Sequence, residues 1–139
     1  MITDKEIALK KVRQDGLRLQ FLSDEIKNDR EVVIEAVKQN GLSLRYASDE
    51  LRNDREIVLE AVRKNWKALF FANEKLKNDR EVVLEAVKSD GYLLEYASDE
   101  FRNDKEIVYE AVKQDRYSLG YASEEIKNDR EFLSRNFKF

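Results

Sequence analysis

Six aspartates, Asp4, Asp29, Asp54, Asp79, Asp104 and Asp129, stand 25 residues apart with no insertion or deletion between them. A glutamate follows each by two positions (Glu6, Glu31, Glu56, Glu81, Glu106 and Glu131). Leu19, Leu44, Leu69, Leu94 and Leu119 keep the same period, as do the aromatics Phe21, Tyr46, Phe71, Tyr96 and Tyr121. A fixed period of this length marks a stacked array, because one such unit cannot bury its apolar face alone whereas neighbours can bury it jointly. The repeats read 4–28, 29–53, 54–78, 79–103 and 104–128, with a partial capping repeat at 129–139, all in a single repeat domain over 1–139.

The second repeat shows how a unit folds. Asn28 with Glu31 three residues on reads as a capping box, placing Asp29 in the first turn, where the helix dipole favours negative charge. Val32, Val33, Ile34, Ala36 and Val37 then cover an arc of roughly 200° on a helix, twice the stripe of an ordinary surface helix, which implies neighbours on both sides. An Asp or Asn closes this helix in every repeat (Asp15, Asn40, Asn65, Asp90, Asp115), either as a left-handed C-terminal residue or as the N-cap of the next element. A shorter helix carries Leu44, Tyr46 and Ala47, and Ser48 caps one more turn that turns Leu51 inward, with Ile26, Leu76, Phe101 and Ile126 as its equivalents. The fold class is therefore all-α, an α-solenoid of 25-residue repeats, each with one longer helix, one shorter helix and a short helical turn. One unbroken helix is the structural rival, and the capping signals in every repeat argue against it.

The two ends read as array caps. Thr3 and Glu6 form a second capping box, with Ile2 and Ile7 spaced as a hydrophobic staple. Lys11 and Asn136 replace the small Ala36, Ala61, Ala86 and Ala111 of the inner repeats. Polar outer faces of that kind suit terminal repeats, so the expectation is a complete array that stays monomeric.

The unit D-R-E-V-V-I-E-A-V-K-Q-N-G-L-S-L-R-Y-A-S-D-E-L-R-N resembles the tandem helical repeats of the family termed domain of unknown function 4116. The likeness covers nearly the whole chain and implies the helical repeat fold, with no activity attached. Trp66 and Arg116, where the pattern prefers Gly, depart from it and put the local turn in question.

Function has to be sought in what varies. With neither Cys nor His, the chain lacks the residues for disulfides, for zinc sites of Cys or His type and for His-based acid–base chemistry. Four glycines, three of them at one repeat position, leave no phosphate-cradling loop, and no carboxylate departs from the repeating set. No cofactor is expected, and the chain reads as a non-enzyme. Without a signal-peptide pattern or an apolar run long enough to cross a bilayer, it is expected in the cytoplasm, with signal-less secretion left open.

Three positions of the short-helix region vary most: Gly16, Gly41, Trp66, Gly91 and Arg116; Leu17, Leu42, Lys67, Tyr92 and Tyr117; and Gln20, Arg45, Phe70, Glu95 and Gly120. Trp66 and Phe70 lie four residues apart, one face of an α-helix, and are rimmed by Arg45, Lys67 and Glu95. They read as the anchor of a protein–protein interface, with Tyr92, Leu93 and Tyr117 as extensions. The alternative is that Trp66 fills space above a neighbouring Gly and belongs to the stack. Basic residues bracket each Asn-Asp pair, as Lys27 and Arg30 do. Such columns could follow a phosphate backbone, yet acidic columns run beside them and the net charge is −3. Arg30, placed near a helix N-terminus, is expected to pair with Asp49 or Glu50. The function expected is thus a scaffold for a protein partner, with a nucleic-acid backbone binder or a partnerless spacer as alternatives and no membrane association.

Overall fold

The structure, a computed structural model, describes residues 3–138. Every regular element among the described residues is helical. The expected staple partner Ile2 lies outside them.

The long helices are Asp4–Gln14, Arg30–Gln39, Arg55–Lys64, Arg80–Ser89 and Lys105–Gln114, followed by Arg130–Asn136. From the second onward the recurring aspartate is the N-cap and not a first-turn residue. The Asp29 carboxylate accepts the Val32 N–H at 3.2 Å, and Asp54, Asp104 and Asp129 do the same for Ile57, Ile107 and Phe132. The capping box expected of Asn28 and Glu31 is therefore replaced by an aspartate cap one residue later. Asn28 instead closes the preceding short helix, and its Oδ1 accepts the Ser48 hydroxyl of the next repeat at 2.6 Å. At Thr3 and Glu6 the expected reciprocal box does form, at 2.9 and 3.1 Å.

Each long helix ends on its Asp or Asn in extended backbone. At Asn40, φ is −153° and ψ is 113°, and the side chain accepts the Leu42 N–H at 3.0 Å. No positive φ occurs among the described residues, so this residue is an N-cap and the left-handed option falls away. Asn65 and Asp115 adopt the same geometry ahead of Trp66 and Arg116, so the turn survives without glycine.

The shorter helix expected in each repeat is present and is a 3-10 helix: Gly16–Phe21, Gly41–Tyr46, Trp66–Phe71, Gly91–Tyr96 and Arg116–Tyr121. Three residues per turn eclipse side chains at i and i+3. That places Gly41, Leu44 and Ala47 on one buried stripe, and leaves Leu42 and Arg45 on the next. The closing turns Asp24–Lys27, Glu74–Lys77, Asp99–Arg102 and Glu124–Lys127 are α-helical, while Leu51–Asn53 is a 3-10 turn. Leu51, Leu76, Phe101 and Ile126 on these turns are buried as expected, whereas Ile26 in the first repeat is only half-buried.

By its contacts the chain divides into two compact units after Glu85, inside the helix Arg80–Ser89. In the first unit, Asp4–Gln14 packs on Arg30–Gln39 and the latter on Arg55–Lys64, with the three 3-10 helices side by side. Val32, Val33, Ala36 and Val37 have no exposed surface, which accounts for the wide apolar arc. Consecutive repeats are stitched by backbone hydrogen bonds, Ser48 N–H to Lys27 O at 2.9 Å and Asn73 N–H to Arg52 O at 3.0 Å. A Cβ on Gly41 would meet the Ala61 carbonyl and lie 3.0 Å from the Asn65 nitrogen, so here glycine lets backbone touch backbone. In the second unit, Gly91–Tyr96 and Arg116–Tyr121 pack against Lys105–Gln114, and Ser123 N–H bonds Arg102 O at 2.9 Å.

Candidate interaction face

The 3-10 helices turn the second and third variable positions toward the outside, while the first, held by Gly16, Gly41 and Gly91 in three repeats, lies on the buried stripe. In the first unit, Phe70 is 46% exposed and Lys67 and Arg45 are exposed, while Trp66 is half-buried. Trp66 shares its stripe with the buried Leu69 and Ala72, three and six residues on, which is why it sinks partly inward. The rings of Trp66 and Phe70 nonetheless meet edge to face with centroids 5.9 Å apart. The α-helical argument for a shared face therefore fails in its geometry, although the two rings do touch. Trp66 is thus partly packed into the stack and partly exposed.

Cations sit on this aromatic surface. The Arg45 guanidinium lies 5.8 Å from the Tyr46 ring centroid and 5.7 Å from that of Phe71, so it bridges the rings of two repeats. The Lys67 ammonium lies 5.9 Å from the Trp66 ring. Beside Phe70 and Phe71 opens a hollow of about 420 Å³, whose rim includes Asp49, Arg52, Asn73 and Lys77.

In the second unit, Tyr117 is 78% exposed and Tyr92 is exposed beside Tyr121, with ring centroids 6.1 Å apart. Desolvation and then the Glu95 charge hold the Tyr121 hydroxyl above its ordinary pKa. Leu93 does not belong to the face. Only 2% exposed, it occupies the inner position filled by Ser43, Ala68 and Ser118 in other repeats, and it packs into the core instead of extending the surface.

Sequence reasoning missed part of this surface. Phe21 is 79% exposed and Tyr96 is also exposed, though their recurrence suggested a purely architectural role. A signal independent of helix type was present: position 21 lies two residues beyond the inner Leu19, and residues two apart do not share a face of either helix.

The charge columns form a ladder between repeats. Arg30 bonds Asp54 at 2.9 Å and Glu56 at 2.5 Å in the next repeat, not Asp49 or Glu50. Lys5 bonds Asp29 at 3.3 Å and Glu31 at 2.9 Å, Arg55 bonds Asp79 at 3.0 Å and also Glu81. A stack brings residues 24 and 26 positions apart nearer than neighbours within the repeat. The Arg55 guanidinium holds the Asp79 carboxyl below its usual range against the cost of burial. At Asp54, burial pushes the pKa up, but the bonds from Arg30 and the Ile57 N–H outweigh it and the net direction is down. In the second unit, Lys105 pairs with Asp129 at 3.2 Å. Among the described residues, no helix is long and apolar enough to cross a membrane.

Capped helices at a constant period, backbone contacts between repeats and a variable outer face together define an all-α tandem-repeat protein. The chain belongs to the family described as domain of unknown function 4116, whose model matches residues 4–52, 32–77, 54–102, 79–127 and 104–138. No curated protein and no solved structure matches it.

Proposed function

We propose that this chain is a non-enzymatic interaction module that holds a partner protein on the outer stripes of its 3-10 helices, with Trp66 and Phe70 as anchors in the first unit. Arg45 and Lys67 flank that anchor, and Tyr92 and Tyr117 offer a second surface in the other unit. The observation that carries this reading is the exposure of Phe70 against Trp66, beside a hollow, at positions where other repeats place Gly or polar residues. Large aromatic side chains left partly open contribute more binding energy than most interface residues. Against a nucleic-acid backbone binder stands the ladder, in which Lys5, Arg30 and Arg55 are each already held by two carboxylates. With this reading goes a monomer working in the cytoplasm.

The test is capture from the native source with three baits: wild type, Trp66→Ala/Phe70→Ala, and a control altered on the long helices, Lys38→Ala/Lys64→Ala. A protein retained by wild type and by the control but lost from the aromatic variant, while that variant keeps its helical circular dichroism, supports the module. Equal capture by all three baits overturns the site, and no specific capture by any of them favours a spacer.

A further inference from the structure

The outer face of the first unit differs in charge from the rest of the chain. Its three 3-10 helices, Gly16–Phe21, Gly41–Tyr46 and Trp66–Phe71, carry Arg18, Arg45 and Lys67 and no Asp or Glu, in a chain whose net charge is −3. They also carry Phe21, Tyr46, Trp66, Phe70 and Phe71. The ladder cations at the long-helix starts are engaged by carboxylates. Arg45 and Lys67, by contrast, rest on ring faces, and among the described residues no carboxylate pairs with either. A ring takes the positive charge over its π-face but leaves the N–H donors around the edge unused. Holding the cation there also restrains a long side chain before any ligand arrives, which lowers the entropy cost of binding.

Such donors suit carboxylates or phosphates, and the surroundings decide between them. Asp24, Glu25, Asp49, Glu50 and Glu74 lie on the short turns that follow these 3-10 helices, and Asp49 and Glu74 line the hollow beside Phe70 and Phe71. Asp49 and Glu74 are paired to Arg52 and Lys77 on the same turns, so the hollow is near charge balance, and a continuous polyanion would find too few unpaired cations along the face to neutralise it. A peptide can put carboxylates at the cations alone and turn an apolar side chain toward Phe70 and Phe71. Neighbouring repeats are about 10 Å apart if packed as helices usually are, and an extended peptide advances about 3.3 Å per residue. Side chains about three residues apart therefore meet successive repeats.

Resting on the docking reading above, we infer that the 3-10 face of the first unit takes an extended acidic peptide segment of a partner protein. That segment carries a carboxylate about three residues from an aromatic or large aliphatic side chain, since Arg45 and Phe70 hold the same position in successive repeats, and a second carboxylate close to that side chain. Arg45 and Lys67 hold the carboxylates, and Phe70 with Phe71 receives the apolar group.

The test pans a displayed random twelve-residue peptide library on the full chain, then measures the recovered peptides by fluorescence anisotropy on wild type, Arg45→Gln/Lys67→Gln and Trp66→Ala/Phe70→Ala. The first pair of residues is exposed, so those changes should leave the circular dichroism unaltered. Enriched sequences should pair carboxylates with an apolar residue at the stated spacing, and affinity should fall about tenfold or more on the Gln variant as charge-assisted bonds are lost. Peptides that need Trp66 and Phe70 but show no acidic enrichment and ignore the Gln variant would overturn the acidic partner while leaving the docking face intact. Recovery of no peptide, or only of peptides indifferent to both variants, would overturn both. A labelled twelve-nucleotide oligo-dT that binds more tightly than the best peptide and depends on Arg45 and Lys67 would replace the peptide with nucleic acid.

Discussion

Replacing Gly41 by Ala tests one of the close backbone contacts in the stack. The new Cβ would lie 3.0 Å from the Asn65 nitrogen, 3.2 Å from the Ala61 carbonyl carbon and nearer still to its oxygen. That oxygen accepts the Asn65 N–H at 2.9 Å, the bond that closes the long helix, so it cannot swing aside without giving the bond up. Relief has to come from moving one repeat away from the next by roughly 1 Å, which loosens the dispersion contacts of the buried Val and Leu layer. Overpacking of this kind costs about 1–3 kcal/mol, and the lower entropy of unfolded Ala returns about 0.4–1 kcal/mol, leaving a net loss of about 1–2 kcal/mol. Gly120→Ala is the control. It makes the same chemical change, but nothing lies within 4 Å of its added Cβ and its φ is not positive, so only the entropy gain of about 0.4–1 kcal/mol applies. Urea unfolding followed by circular dichroism reads both. With a slope of about 1–3 kcal/mol/M, the Gly41 variant should lose on the order of 1 M in midpoint, while the Gly120 variant gains a few tenths. A Gly41 variant as stable as wild type would refute backbone contact as the reason for that glycine.

Three further outcomes rest on the same geometry. Leu93→Ala should cost about 2–5 kcal/mol in urea while the folded protein keeps its ligand affinity, because Leu93 fills the core; unchanged stability with lost binding would return it to the surface. Asp29→Ala should cost about 1 kcal/mol through its cap on Val32, and Asn28→Ala should cost less, since it gives up one exposed hydroxyl bond; the reverse order would restore the capping box. Asp54 and Asp79 are held below their ordinary 3.8 in the folded chain, so their ionised forms favour folding at neutral pH. Their contribution is intact above about pH 5, declines as the pH falls through that ordinary value and vanishes below their folded pKa values. Urea midpoints at pH 7, 5, 4 and 3 should be level at first and then drop, and a midpoint unchanged at pH 3 would contradict the ladder.

Much of the architecture is legible in the repeat itself. The wide apolar arc of Val32, Val33, Ala36 and Val37 requires two neighbours, and the Asx residues at positions such as Asn40 mark both a helix end and a new start. The 3-10 helices are not legible, because a six-residue segment with apolar residues at i and i+3 fits either helix type. That ambiguity set the errors at the site. On an α-helix, Trp66 and Phe70 would share a face; with three residues per turn they lie on different stripes and touch through their long rings. Leu93 follows the exposed Tyr92 in the chain, yet it stands with the buried Ser43, Ala68 and Ser118 and apart from the exposed Arg18, a difference that residue type at this position does not express. The partner of Arg30 was sought within its own repeat, whereas Asp54 and Glu56 reach it only through stacking, which local spacing does not express.

The 3-10 geometry also explains why a face of this kind can vary at all. The long helices bury half their girth, so a change there meets a neighbouring repeat. A six-residue 3-10 helix has one inward stripe centred on its Leu, and its backbone is set by the Asx cap before it and that Leu within it. The outer position holds Gln20, Arg45, Phe70, Glu95 and Gly120 on the same local fold. Five different chemistries on one backbone mean that folding places little demand on that side chain. Where the fold is indifferent, the choice of side chain can follow what binds. The aromatic and basic choices concentrated between Arg45 and Phe71 are then more economically assigned to recognition than to stability, since the ladder and the caps already supply the frame without them.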